Sequence, residues 1–201
     1  MKGRFVRESP DVRRQALIDA TALCLAERGA AGTSVRAICS RAGVSSGLLT
    51  HYFDGVDALI LATYRDVCTR VAHALEQGVA QAGDDPRTRL RAYILANFRA
   101  PILDADLLAT WIAFWSLVKS NPAMSAAHAE MYGAGRARME GLLQAAAPAM
   151  PAAQVRLAAI GLTALVDGLW LELCLDPSNF SASEADRILT DWIDTLVGHG
   201  E

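Results

Sequence analysis

Residues 33–53 constrain this chain more tightly than any other stretch. They read Thr-Ser-Val-Arg-Ala-Ile-Cys-Ser-Arg-Ala-Gly-Val-Ser-Ser-Gly-Leu-Leu-Thr-His-Tyr-Phe. Val35, Ile38, Cys39 and Ala42 recur at i, i+3, i+4 and i+7, one face of a short helix. Ser34 can cap it by accepting a free backbone N–H, and Gly43 supplies the positive φ that ends it. Val44 turns back toward the core, and Ser45 caps a second short helix over 46–52. Serine caps and a glycine turn between two short helices describe a helix-turn-helix, which lays its second helix in the DNA major groove.

An ordinary helical hairpin inside a bundle is the competing reading. Against it, the second helix carries Ser46, Gly47, Thr50, His51 and Tyr52 between the apolar anchors Val44, Leu49 and Phe53. A core helix does not keep so many hydrogen-bonding groups without partners. Arg13, Arg14, Arg36 and Arg41 also gather around it in sequence. Charge agrees. Residues 1–53 hold eight Lys/Arg against four Asp/Glu, and residues 54–201 hold eleven against eighteen, which together give the net −3. A basic head on an acidic body suits a protein that meets nucleic acid at one end.

The run from Ala42 to Phe53 (Ala-Gly-Val-Ser-Ser-Gly-Leu-Leu-Thr-His-Tyr-Phe) resembles the signature of TetR-type transcriptional repressors, with caps, glycines and aromatics in register. The resemblance covers roughly the first sixty residues. It implies an all-α homodimer that binds a palindromic operator, with half-sites about one helical turn, ~10 bp, apart. It also implies a DNA-binding domain over 1–54 and a ligand-binding and dimerisation domain over 55–201. A small molecule would separate the two heads and release the operator. Thr50 and Val56 stand where the family usually has a tyrosine and a lysine, each touching a phosphate.

On this reading Ser45, Ser46, Thr50 and Tyr52 contact phosphate, helped by backbone N–H groups at the helix starts. Ser46, Gly47, Leu48 and His51 face base edges; Gly47 allows close approach and Leu48 can meet a thymine methyl. Thr33, Ser34 and Arg36, at the entrance of the first helix, complete the expected DNA contacts. Lys2, Arg4 and Arg7 in the arm 1–9 can add phosphate or minor-groove contacts, or can be a solvated tail.

The remaining pattern is helical throughout, and no window alternates as a strand would. Prolines and glycines divide it into helices over 10–28, 56–82, 86–100, 104–120, 123–147, 152–175 and from the Ser181/Ser183 cap to about 197. With the short pair, this makes about nine. Met1 to Pro10 has no apolar run, so no secretory signal is expected. Cys24, Cys39, Cys68 and Cys174 are far apart on apolar faces and are expected as buried reduced thiols in a cytoplasmic protein. The apolar run 157–171 is broken by Asp167 and is expected as a buried core helix, with no membrane span.

The helix over 104–120 is apolar all round, so its neighbours should enclose it. Trp111 and Trp115 share a face, and Phe114 lies beside them. Trp170 follows Asp167 by three residues. Aromatic faces attract cations by about 0.5–2 kcal/mol each, and quaternary ammonium groups use such cages. A plain core role for each tryptophan competes with this. Residues 111–115 and 165–171 resemble the corresponding stretches of the BetI, choline-responsive group of the same family. That likeness implies a quaternary ammonium effector held by Asn97, Trp111, Phe114, Trp115, Asp167 and Trp170. Arg99 departs from it, since that group tends to be acidic there. Gly168, a helix-interior glycine costing about 1 kcal/mol against alanine, points to close helix packing, and the resemblance implies a dimer interface built from the last two helices, 8 and 9, where that packing would fall. Asp167 could serve either the dimer or the ligand.

An enzyme is the rival class. His51, His73, His128 and His199 have no metal-ligand spacing, and no Gly-x-Ser-x-Gly elbow or phosphate-binding glycine loop occurs. No metal or cofactor is expected. The second rival keeps the fold and changes the effector to a hydrophobic drug or a lipid-like molecule.

Overall fold

The structure is a computed structural model that describes residues 9–198. The basic arm residues Lys2, Arg4 and Arg7, and His199, lie outside the described residues. Among the described residues the order is α1 (Pro10–Gly32), α2 (Val35–Ala42), α3 (Ser46–Tyr52), α4 (Gly55–Gln81), α5 (Pro86–Leu95), a 3-10 turn (Ala96–Phe98), α6 (Ala105–Val118), α7 (Pro122–Ala146), α8 (Ala152–Leu175) and α9 (Ala182–Gly198), with no strand.

Two apolar cores divide the molecule. Leu17, Ile18 and Cys24 of α1 meet Ile38 and Cys39 of α2, Leu49 of α3, Phe53, and Leu59 of α4 in the smaller one. The larger fills the space between α4 and the C-terminal helices and draws in Leu25 of α1. Two helices therefore serve both cores. The 27 residues of α4 run unbroken for about 40 Å. α1 packs along α6, where the buried Thr110 hydroxyl donates to the Ala22 carbonyl at 3.1 Å.

Local chemistry sets the boundaries. Pro10 opens α1, and the Ser9 Oγ accepts the Val12 N–H. Gly29, at φ 64° and ψ −176°, interrupts α1 where a stop is expected. The chain takes one further turn before α2.

α5 is shorter than the sequence pattern indicates. It gives way to the 3-10 turn, where the Asn97 side-chain amide donates to the Ile94 carbonyl at 2.9 Å. A polar side chain that satisfies a backbone carbonyl competes with further helix. Arg99 is then extended (φ −133°, ψ 156°), leading into Pro101.

α8 departs from the expectation of a wholly buried helix. Val155, Ala159, Leu162, Val166 and Trp170 face the core, but Leu157 is 64% and Leu175 is 69% exposed, with Ile160 and Leu171 also exposed. Exposed Ile188 and Trp192 of α9 add to this apolar surface. The helix is long and apolar enough to cross a membrane by length and composition, yet one whole face packs into this core. Within the subunit, the tight α8–α9 contact falls at Gly161, and Gly168 is left open on its own subunit. A Cβ at Gly161 would lie 2.7 Å from the Trp192 ring, whereas one at Gly168 meets nothing within 4 Å.

Candidate DNA-binding and effector sites

The polar side of α3 is bare. Ser45, Ser46, Gly47, Thr50 and His51 are exposed, Leu48 and Tyr52 are half-buried, and Leu49 alone in this helix is fully enclosed. Ser34 accepts the Ala37 N–H and Ser45 the Leu48 N–H, each at 3.3 Å, so each short helix starts on a serine cap. Gly43 sits at φ 65° and ψ 31°, a left-handed turn open to glycine at no steric cost. Its N–H and that of Val44 both donate to the Cys39 carbonyl.

Three residues differ from their expected surroundings. Thr33 is buried, and its hydroxyl donates to the Gly29 carbonyl at 2.8 Å, so it fastens the α1–α2 turn instead of facing a duplex. The Thr50 hydroxyl turns back onto its own helix, donating to the Gly47 carbonyl at 3.1 Å. Arg41 pairs with Glu27, which neutralises it. Arg14 stacks its guanidinium 5.0 Å from the Phe53 ring centre, which brings a cation from α1 to the end of α3. Arg36 is exposed near the start of α2.

In the body, α4, α5, the 3-10 turn, α6, α7 and α8 line a partly open cavity of about 450 Å³. Four expected effector residues line it: Asn97, Trp111, Asp167 and Trp170. Two do not. Phe114 is fully buried beneath it, edge-on to Tyr64 at 5.0 Å. Trp115 acts from behind the wall. Its indole N–H donates to the Tyr132 hydroxyl at 3.2 Å, and the Trp111 indole donates to the same oxygen at 3.1 Å. With two donors already on that oxygen, the Tyr132 proton is directed to the Asp167 carboxylate, 3.4 Å away. Trp170 stands edge-on to Trp111 at 5.7 Å and donates to the Asn97 carbonyl at 3.0 Å. One wall thus carries two indole rings, a phenol and a carboxylate.

The electrostatics follow from burial. Burial pushes the Asp167 carboxyl up to about 6, partly countered by the hydrogen bond from Tyr132. Burial raises Tyr132 as well, with the Asp167 charge adding to it. Cys68 is pushed up to about 11 by burial, so the thiol lining this cavity stays protonated. Arg99 points away: it is exposed and pairs with Asp186 of α9 at 3.2 Å. Its charge therefore does not oppose a cation in the cavity. Among the described residues no group of three or more His, Cys, Asp or Glu side chains could hold a metal ion.

Comparison with known proteins matches both parts of this architecture. The family described as "Bacterial regulatory proteins, tetR family" matches residues 17–63, and "BetI-type transcriptional repressor, C-terminal" matches residues 86–198. The chain is 37% identical over 187 residues to the HTH-type transcriptional regulator BetI of Burkholderia thailandensis, covering 93% of this chain and 94% of the relative. This chain belongs to the TetR family, in its BetI-type branch. A transcriptional regulator from Pseudomonas aeruginosa PAO1 shares the TetR fold at a TM-score of 0.87 and 42% identity, over 98% of this chain and 95% of that one. A regulator from Saccharomonospora viridis, solved in complex with choline, has the same fold at a TM-score of 0.75 and 20% identity, over 92% of this chain and 96% of that one.

The TetR-family chain is therefore a DNA-binding transcriptional regulator, and the enzymatic alternative falls away with its relatives. Sequence reasoning missed Tyr132, which organises the BetI-type cavity, and the cavity residues Cys68, Tyr93 and Met139. Tyr132 lies on α7, where glycine, alanine and methionine blur any amphipathic stripe, so periodicity alone does not single it out.

Proposed function

We propose that this regulator works in the cytoplasm as a homodimer on a palindromic operator and lets go of it when a quaternary ammonium compound, with choline as the reference, binds in the cavity. The division is a reading head over 1–54 and an effector and dimer body over 55–201. Ser34, Arg36, Ser45, Ser46, Thr50 and Tyr52 hold the backbone, and Ser46, Gly47, Leu48 and His51 meet base edges. The apolar face of α8 and α9 covers its counterpart in the second subunit.

One observation carries the effector class: the two indole hydrogen bonds to Tyr132, which leave its proton for Asp167. That arrangement supports a fixed carboxylate beside aromatic faces, the chemistry that attracts a cation which cannot donate a hydrogen bond. The regulator from Saccharomonospora viridis that binds choline lends support through its fold. Calorimetry with choline, betaine aldehyde and an uncharged aromatic compound tests it. Saturable heat from the cations, lost in Trp111→Ala and Asp167→Asn, is the expected result. A response to the uncharged compound alone would favour a hydrophobic effector, drug or lipid-like, which the Leu75, Met131 and Met139 lining could accommodate.

A further inference from the structure

The cavity is too large and too charged at one end for a simple ammonium ion. Choline has seven heavy atoms; at roughly 30 Å³ for each water-sized atom, it fills under half of the 450 Å³. The remaining wall contains Glu76, Arg136 and Arg138. Arg138 is satisfied, since its guanidinium grips both Glu76 oxygens at 2.6 and 2.8 Å. Arg136 is not. It is half-buried, lines the cavity, and makes no hydrogen bond or ion pair among the described residues. Its charge reaches inward: with burial as the larger cause, it lowers the titration of His128, whose ring stacks on Tyr132 at 4.1 Å. A partly desolvated guanidinium with five donors and no acceptor is an uncompensated cation.

Spacing connects it to the aromatic wall. Tyr132 and Arg136 are four residues apart on α7, so they stand on one face about 6 Å apart along the axis. The geometry points to a zwitterionic effector: a trimethylammonium group against Trp111, Trp170 and Asp167, joined by a short chain to a carboxylate that Arg136 binds. Four bonds of about 1.5 Å, an ammonium nitrogen and a carboxylate separated by three carbons, span about 5 Å and match the helix spacing. Glycine betaine, with one carbon between its charges, is too short to engage both ends. This inference rests on the quaternary-ammonium reading of the same cavity and narrows it.

Calorimetry on the full chain separates the two claims. The probes are choline, glycine betaine, γ-butyrobetaine and butyrate, with operator binding in the absence of effector as the check that each variant is folded. γ-Butyrobetaine is expected to bind at least tenfold tighter than choline or glycine betaine, and butyrate not measurably. In Arg136→Gln the γ-butyrobetaine advantage over choline should fall to threefold or less, while choline gains slightly as a like charge leaves. Arg136→Lys should restore part of it. If choline binds in a Trp111-dependent manner as tightly as γ-butyrobetaine, or if Arg136→Gln leaves the preference intact, the zwitterion is wrong and the ammonium reading stands. Butyrate binding as well as γ-butyrobetaine would also overturn it, leaving a simple anion site. No heat from any ammonium compound would bring down both.

Discussion

The Thr110 hydroxyl on α6 donates to the Ala22 carbonyl on α1 across 3.1 Å. Next to Thr110 on α6, Trp111 and, one turn further on, Trp115 hold Tyr132 in the cavity wall. The helix that senses the cavity is thus fastened to the helix that buttresses the DNA head. Thr110→Val keeps the shape and removes this one link, at a cost of about 1 kcal/mol. Operator affinity without effector should change little, whereas the concentration of choline or γ-butyrobetaine needed for release should rise several-fold. A gel-shift titration reads both; an unchanged release midpoint would mean that coupling runs elsewhere, through α4.

The acidity of Asp167 sets a pH dependence. A cation is held by the ionised carboxylate, and burial raises that group to about 6. Affinity for an ammonium effector should therefore be flat above that pH and fall, by up to about tenfold per unit, below it. Asp167→Asn should bind weakly and lose the pH dependence. Without effector the sign is opposite for folding. The raised native value means the folded chain holds this proton better than the unfolded chain, so the contribution is full below the ordinary value near 4 and is lost as pH rises through about 6. Calorimetry at stepped pH, paired with thermal melts, distinguishes the two trends.

Ser45 and Ser46 are adjacent and should separate stability from recognition. The Ser45 Oγ caps α3 by accepting the Leu48 N–H, and Ser45→Ala should cost about 1 kcal/mol of head stability. The Ser46 side chain has no hydrogen bond among the described residues, so Ser46→Ala should leave the melting temperature within about 1–2 °C, since surface changes stay within about 0.5 kcal/mol. Its effect should appear on DNA instead, as an altered ranking of operator variants.

Phosphate and base contacts should differ in the same way on α3. Substituting Tyr52→Phe or Thr50→Ala should weaken operator and random DNA alike, and should shallow the salt dependence of binding. Leu48→Ala should change the preferred base pair at one position while leaving random DNA nearly untouched, since a thymine methyl contact carries sequence information. Fluorescence titrations over a salt series, with operator and scrambled duplexes, check this. Equal losses on every duplex from both sets would undo the assignment of α3.

The apolar face on α8 and α9 predicts the assembly. Leu157 and Leu175 are the most exposed large apolar side chains of the described residues. Leu157→Asp with Leu175→Asp should yield a helical, folded monomer that no longer retards the palindromic operator, read by sedimentation velocity and gel shift. A dimer that persists at micromolar concentration would place the interface on another face.

Local chemistry made the head legible in the chain. Caps, a left-handed glycine and an i, i+3, i+4 stripe act over a few residues, so α2, Gly43 and α3 stand where the spacing puts them. The bounds of α8 and the interruption of α1 at Gly29 were equally local. Only tertiary structure could decide which aromatic side chains meet the cavity. Trp111, Phe114 and Trp115 share much of one helix surface, yet one lines the space, one is sealed into the core and one works through a hydrogen bond. Their roles depend on Tyr64, Tyr132 and Asp167, which arrive from α4, α7 and α8 at separations of tens of residues. Backbone periodicity carries no information across such distances. Packing density and the need to satisfy every buried donor settle the matter once the helices have docked.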